Sequence, residues 1–280
     1  MDVSADDIKF ELLDALEKDH LVLPTLPEIA LEVRAAANDP STDIKRLQDL
    51  LGSDAALSAR VVRVANSPLV RGYQTIDHLR AALSRLGVNY SCNLVMGLAM
   101  EQMFQATNEI IDKKLREVWS RGTEVAAIAN VLAQHYTNLE PDKATLAGLT
   151  HEIGVLPILT YAEENEELLE PQNSLQLDKI IREISPELGV RILQSWKFHP
   201  SLAMIPAQHL NFRRNSRVTD YVDVVIVARL QSYGFEDLDK EFEDWQEIPA
   251  CAKLGLETTE ESMELTGINE EIDLAAVALQ

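Results

Sequence analysis

Residues 54–68 read DAALSARVVRVANSP, and this stretch carries the pattern that decides the fold. Its apolar residues Leu57, Val61 and Val64 recur at spacings of three and four, which places them on one face of an α-helix. Asp54 stands just before them, where a carboxylate can accept a hydrogen bond from an unpaired backbone N–H of the first turn. Asn, Ser and Pro at 66–68 are residues that end helices. The sequence therefore predicts a short, capped, amphipathic helix here.

The same helical spacing recurs along almost the whole chain. A long helix is predicted from about residue 108 to residue 136, and its run Val125–Ala129 is small and apolar on nearly every face, which indicates a buried central position. The run Val222–Val227 is rich in β-branched residues but does not alternate with polar ones, so helix is predicted there too. Short helices cannot each bury an apolar face alone and must pack together. The predicted fold class is therefore all-α.

The distribution of helices and charge divides the chain into three predicted parts. Residues 1–107 form an N-terminal helical bundle, and residues 108–235 form a second bundle that shares its core. Residues 236–280 form an acidic helical extension. It contains fourteen acidic residues and only two basic ones, Lys240 and Lys253, which gives a local net charge of −12. Such a segment is either an ordinary solvated surface or a docking region for a basic partner.

Composition excludes several classes of function. The formal net charge of −21 repels a phosphate backbone, so direct nucleic-acid binding is not expected. The two cysteines, Cys92 and Cys251, are far apart, which excludes a disulfide framework and a Cys-rich zinc site. The acidic first residues do not resemble a signal peptide, and no apolar run approaches the ~20 residues that span a bilayer. We expect a cytoplasmic protein without membrane contact.

The segment most suggestive of chemistry is residues 148–154, GLTHEIG. It sets His151 beside Glu152, and an adjacent imidazole and carboxylate can both reach one metal ion that activates water for hydrolysis. A lone histidine on an apolar helix is, however, more often a core residue. No HExxH pair, Gly-rich phosphate loop or GxSxG nucleophile motif occurs in the chain. The segment alone therefore does not decide the function.

Several motifs taken together resemble the HDOD domain, over roughly residues 18–235. They are residues 23–27 (LPTLP), Asp39-Pro40, residues 54–61 and 65–68, Ile76, Ala81–Gly87, Val118–Ser120, Gly148–Gly154 and Leu188–Trp196. The resemblance implies a two-part helical bundle related to the HD and HD-GYP metal-dependent phosphohydrolases. HDOD proteins are bacterial and are generally regarded as signalling or output modules whose set of metal ligands has decayed.

The resemblance also implies where the metal site of the related enzymes would lie. Where the HD pattern has its first His, this sequence has Arg121, and where it has His-Asp, this sequence has His151 and Glu152. A third His is replaced by Ser185, which together with Pro186 is typical of the cap and first turn of a new helix. Two of the expected ligands are thus replaced by residues that do not normally bind metal.

The last part of the HD pattern is matched less directly. Paired histidines correspond to Gln208-His209, and the final Asp corresponds to either Asp220 or Asp223. Of the expected ligands, only His151, Glu152 and His209 survive in usable form.

We predict that Arg121, His151, Glu152 and His209 approach one another in a partly buried vestigial cleft that holds no catalytic metal and no cofactor. The fixed charge of Arg121 repels a divalent ion and can pair with Glu152 instead. The expected function is a non-catalytic signal-transduction module that acts on a protein partner. Two alternatives stay open, an atypical metal-dependent phosphohydrolase or phosphodiesterase, and a sensor that holds a small anion in the vestigial pocket.

Overall fold

The computed structural model describes residues 10, 14, 23–67, 70, 74–170, 173–233, 247–256 and 269–279. Every regular element in these ranges is a helix, so the predicted all-α class is confirmed. None of these helices combines the length and the apolar character needed to cross a membrane. Short 3-10 helices follow α5 and α8. The α-helices are α1 (Glu28–Ala37), α2 (Ile44–Leu51), α3 (Ala55–Ala65), α4 (Leu79–Leu86), α5 (Val88–Ala99), α6 (Glu109–Tyr136), α7 (Pro141–Thr150), α8 (Val155–Glu164), α9 (Ser174–Ser195), α10 (Pro200–Ala203), α11 (Ile205–Gln208), α12 (Tyr221–Tyr233), α13 (Pro249–Leu254) and α14 (Asn269–Leu279).

Polar caps fix the starts of two helices where the sequence predicted them. Asp54 accepts a 2.8 Å hydrogen bond from the N–H of Leu57 at the start of α3. Asn108 accepts hydrogen bonds from the N–H groups of Ile110 and Ile111 at the start of α6. Each cap satisfies a donor that has no partner within its helix, and such a cap contributes about 1 kcal/mol.

Helix α6 lies at the centre of the fold and contacts α7, α8, α12 and α14. Its run Val125–Ala129 is buried, as predicted. Gly148 of α7 allows the closest of these contacts, because a Cβ atom at that position would lie 2.4 Å from the Cα of Ala126. Only glycine therefore permits α7 to approach α6 so closely, and this approach positions the residues that follow α7.

The predicted helix boundary at Ser185 and Pro186 is wrong. Ser185 and Pro186 do not start a new helix, because α9 runs without a break from Ser174 to Ser195 with Pro186 in its interior. An interior proline costs about 3 kcal/mol, since it lacks an N–H and its ring crowds the preceding turn. Ile184 and Leu188, on either side of it, are buried and belong to one apolar stripe. Burial of this stripe outweighs the cost of the proline.

The buried apolar side chains of the described residues form one core that extends from Leu26 to Leu279. Helix α14, from the acidic extension, packs against α6 and α3, and Arg60 Nη2 donates a 2.6 Å hydrogen bond to the carbonyl of Leu279. The division of the chain after residues 107 and 235 stays a prediction. Residues 236–246, 257–268 and 280 of the extension lie outside the described ranges.

Candidate functional site

A cleft of about 680 Å³ opens where α6, α8, α9 and α12 meet. Three of the four predicted site residues line it: Arg121 on α6, Glu152 in the turn before α8, and His209 just after α11. The fourth, His151, is buried and packs against His209, so the fold brings together residues that are up to 88 positions apart. Ser185 lies on the α9 wall of the same cleft.

The two imidazole rings pack edge to face, with their centroids 5.1 Å apart. The Nδ1 atom of His151 lies 2.6 Å from the carbonyl oxygen of Gly148, and that of His209 lies 2.9 Å from the carbonyl oxygen of Pro206. Because a carbonyl only accepts, each Nδ1 carries the ring hydrogen and each Nε2 has an open lone pair. The buried Nε2 of His151 has no hydrogen-bond partner among the described residues.

Burial keeps both histidines uncharged. It is the main reason that the pKa of His151 falls to about 3, and the positive charge of Arg229 lowers this pKa further. The pKa of His209 also falls to about 3, again mainly through burial, with smaller contributions from His151 and Arg229. Both imidazoles are therefore neutral at physiological pH and act as acceptors or ligands rather than as cations.

Two residues of α12 that the sequence pattern did not single out hold the carboxylate of Glu152. The hydroxyl of Tyr233 donates to Oε2 at 3.2 Å, and Nη2 of Arg229 lies 3.9 Å from Oε1. The guanidinium of Arg229 also lies over the Tyr233 ring, 4.2 Å from its centroid, while Arg121 lies over the same ring at 5.5 Å. Glu152 is thus paired with Arg229 rather than with Arg121, which contacts Tyr233 instead.

A signal for these two residues exists in the sequence. Arg229 is the only charged residue in the otherwise apolar run 224–230, and Tyr233 follows it by one helical turn on the same face. Since the Arg229 side chain is only 8% exposed, its charge requires a nearby anion or aromatic face. A charged residue at such a position is a candidate for the site.

Neither Asp220 nor Asp223 contributes to this cluster. The carboxylate of Asp223 is fully buried and lies 2.8 Å from both Nη1 of Arg214 and Nζ of Lys253. Asp220 also pairs with Arg214. The two aspartates therefore belong to a separate ionic network that joins α13 to α12, and neither takes the place of the last HD ligand.

Comparison with known proteins agrees with this architecture. The model of the HDOD domain matches residues 23–212, which is most of the chain. The chain belongs to the HDOD domain family. The resemblance predicted from the sequence motifs is therefore confirmed.

Solved structures similar to this HDOD protein share its fold over almost the entire chain. A Shewanella amazonensis protein, provisionally named a metal-dependent phosphohydrolase, is 27% identical with a TM-score of 0.85, and the match covers 99% of each chain. An HDOD domain protein of unknown function from Geobacter sulfurreducens is 22% identical with a TM-score of 0.68 over 98% of each chain. An uncharacterized Treponema pallidum protein is 23% identical over an alignment of 209 positions, which covers 67% of this chain and 39% of the length of that relative.

The relation to metal-dependent enzymes raises the question of whether these residues fit a divalent ion. The ligand atoms of His151, Glu152 and His209 all lie within 4.8 Å of one another, and two imidazoles with one carboxylate are a donor set that zinc or Fe(II) accepts. The guanidinium of Arg229, however, lies beside the same carboxylate. The donor atoms fit a divalent ion, but the charge balance around them does not.

Proposed function

We propose that this HDOD protein is a non-catalytic signal-transduction module that acts through contact with a protein partner. The observation that carries the proposal is the buried guanidinium of Arg229 beside Glu152. Where a hydrolytic HD site would use a divalent ion, this chain supplies a positive charge of its own. Membership of the HDOD family supports the regulatory role, since this family is generally regarded as a family of signalling or output modules.

Electrostatics makes a metal centre costly at this position. An ion bound to Glu152 would share that carboxylate with Arg229, and at a separation of about 4 to 6 Å with an effective dielectric near 20 the repulsion is about 5 to 8 kcal/mol. Because 1.4 kcal/mol corresponds to a tenfold change, the affinity falls by about four to six orders of magnitude. The exposed Arg121 adds a second positive charge to the same cleft.

The charge of the chain indicates the kind of partner. With a net charge of −21, and −12 of it after residue 235, the surface favours a partner with a basic face and disfavours nucleic acid. Helix α14 belongs to the acidic segment and packs on α6 and α3, so a partner held there is next to the core. We expect capture of this partner from native cells to weaken as ionic strength rises.

Hydrolysis assays on the full chain test the non-catalytic part of the proposal. The substrates are bis(p-nitrophenyl) phosphate and a cyclic dinucleotide, each with manganese, iron(II) or magnesium. We expect no hydrolysis beyond that of the matched variant His151→Asn, whose amide keeps the hydrogen bond to the Gly148 carbonyl but removes the Nε2 ligand. Metal-dependent hydrolysis that disappears in His151→Asn would show that the protein is an enzyme.

A metal-dependent phosphohydrolase is the second candidate. The set of donors formed by His151, Glu152 and His209 favours it, as does the provisional name of the Shewanella amazonensis structure. In that case the three donors would hold the metal, which would supply an activated water when bound, and Tyr233 would keep the Glu152 carboxylate oriented. The same assay decides between the two candidates.

A further inference from the structure

The cleft has the opposite charge to the rest of the molecule. Three acidic residues line it, Glu117, Glu152 and Asp178, against five cations, which gives a local net charge of +2 in a chain of net charge −21. Such an inversion concentrates small anions at one place on a surface that otherwise repels them. The five cations are Lys114, Arg121, Arg182, Arg213 and Arg229.

Several of these charges already have partners. Lys114 Nζ lies 3.2 Å from the carboxylate of Asp178, and Arg229 faces Glu152. Arg121 and Arg182 are different, because among the described residues neither forms an ion pair with a carboxylate within 4.0 Å, and Arg121 contacts only the ring of Tyr233. Both residues are exposed, and they lie on opposite walls of the cleft, Arg121 on α6 and Arg182 on α9. Both guanidinium groups are therefore available to a ligand.

His209 adds a hydrogen-bond acceptor to the lining of the cleft. His209 lines it, and since its Nδ1–H is used by the Pro206 carbonyl, its Nε2 atom can only accept. Behind it, the Nε2 of His151 is buried without a partner among the described residues. A ligand that satisfies this site therefore needs both a negative charge for the arginines and a hydroxyl hydrogen that it can donate to an imidazole nitrogen.

We propose that the cleft binds a small oxyanion that also carries a hydroxyl hydrogen, with Arg121 and Arg182 binding the charge and His209 Nε2 accepting the hydrogen. Hydrogen phosphate and hydroxycarboxylates share this chemistry. A divalent cation would compete for the cleft, because it binds the same Nε2 lone pairs of the histidines. It would, however, require negatively charged rather than positively charged residues around it. Binding of the oxyanion requires no turnover, so this inference and the proposed lack of catalysis stand or fall separately.

Isothermal titration calorimetry on the full chain at pH 8 and constant ionic strength tests the inference with two matched pairs of ligands. Hydrogen phosphate and sulfate have the same charge and shape at this pH, but only the phosphate carries a hydrogen. Malate and succinate differ in the same way, by one hydroxyl. We expect phosphate or malate to bind at least about tenfold more tightly than its partner, because a ligand without the hydrogen leaves a polar acceptor unpaired. A difference within the first pair identifies the ligand as a phosphate, and a difference within the second pair identifies it as a hydroxycarboxylate.

Variants locate the site. Arg121→Gln and Arg182→Gln should each weaken binding about tenfold, whereas Glu152→Gln should strengthen it by removing a competing negative charge. Arg116→Gln is the matched control, because Arg116 is on α6 like Arg121 but pairs with Asp112 and lies outside the cleft. Equal affinities within both ligand pairs, insensitivity to Arg121→Gln, or no binding of any of the four anions would overturn the proposal. Manganese binding that Glu152→Gln abolishes, without anion binding, would assign the cleft to a cation.

Discussion

Mild acid should destabilise this protein through its buried histidine pair. His151 and His209 have pKa values lowered from 6.5 to about 3 in the folded chain, mainly by burial. In the unfolded chain they take up protons near pH 6.5, whereas in the folded chain they stay neutral. The unfolded state therefore binds more protons between pH 6.5 and 3, and the free energy of unfolding falls as the pH is lowered through this window.

The pKa difference sets the size of the effect. At pH 5, which is 1.5 units below the unfolded value, each histidine costs about 2 kcal/mol relative to neutral pH, and the pair about 4 kcal/mol. Urea unfolding of the full chain at pH 7.5 and pH 5 measures the loss. Asn in place of either histidine keeps a donor for the backbone carbonyl but does not titrate. His209→Asn should therefore reduce the loss of unfolding free energy between pH 7.5 and pH 5 by about 2 kcal/mol.

His78→Asn is the control for this experiment. His78 is exposed and accepts the N–H of Ala81 at the start of α4, a hydrogen bond that Asn can also accept. This variant should keep the full pH dependence of the wild-type chain. If His209→Asn and His151→Asn both lose as much stability at pH 5 as the wild type does, the histidines are not the groups responsible and the reasoning fails.

Two further predictions concern the scaffold of the site. Gly148→Ala should lower the free energy of unfolding by about 3 kcal/mol or more, because the new Cβ would lie 2.4 Å from the Cα of Ala126. Urea titration measures this change, and a loss of stability below about 0.5 kcal/mol would contradict the close packing of α6 and α7. Asp223→Asn should cost about 3 kcal/mol, since it removes a fully buried carboxylate, which leaves Lys253 without its ion pair and Arg214 with Asp220 alone. Thermal unfolding that is unchanged by Asp223→Asn would show that this network contributes nothing to stability.

Much of the fold was predictable from local signals. Asp54 and Asn108 cap helices with their own side chains, and such bonds depend only on neighbouring residues. The run Val222–Val227 lacks alternation and is helical as predicted, although its residues favour strands. The boundary at Pro186 failed because tertiary burial of the α9 stripe overrides a local breaking signal.

The site was predictable only in part. The adjacent pair His151 and Glu152 is visible in the sequence, and alignment with the HD pattern suggests His209. The partner of Glu152 was not predictable in this way, because Arg229 meets it only after α12 has packed against α6 and α7. Which of several arginines reaches a given carboxylate depends on helix packing, and spacing along the chain does not encode it.

The metal content of the purified protein tests the central claim most directly. The protein is purified from its native cells without chelators, and manganese, iron and zinc are measured by elemental analysis beside His151→Asn purified in the same way. If Arg229 provides the positive charge that a metal would otherwise supply, neither sample contains stoichiometric metal. One equivalent of metal in the wild type, lost in His151→Asn, would contradict the account and identify an HD-type metal centre.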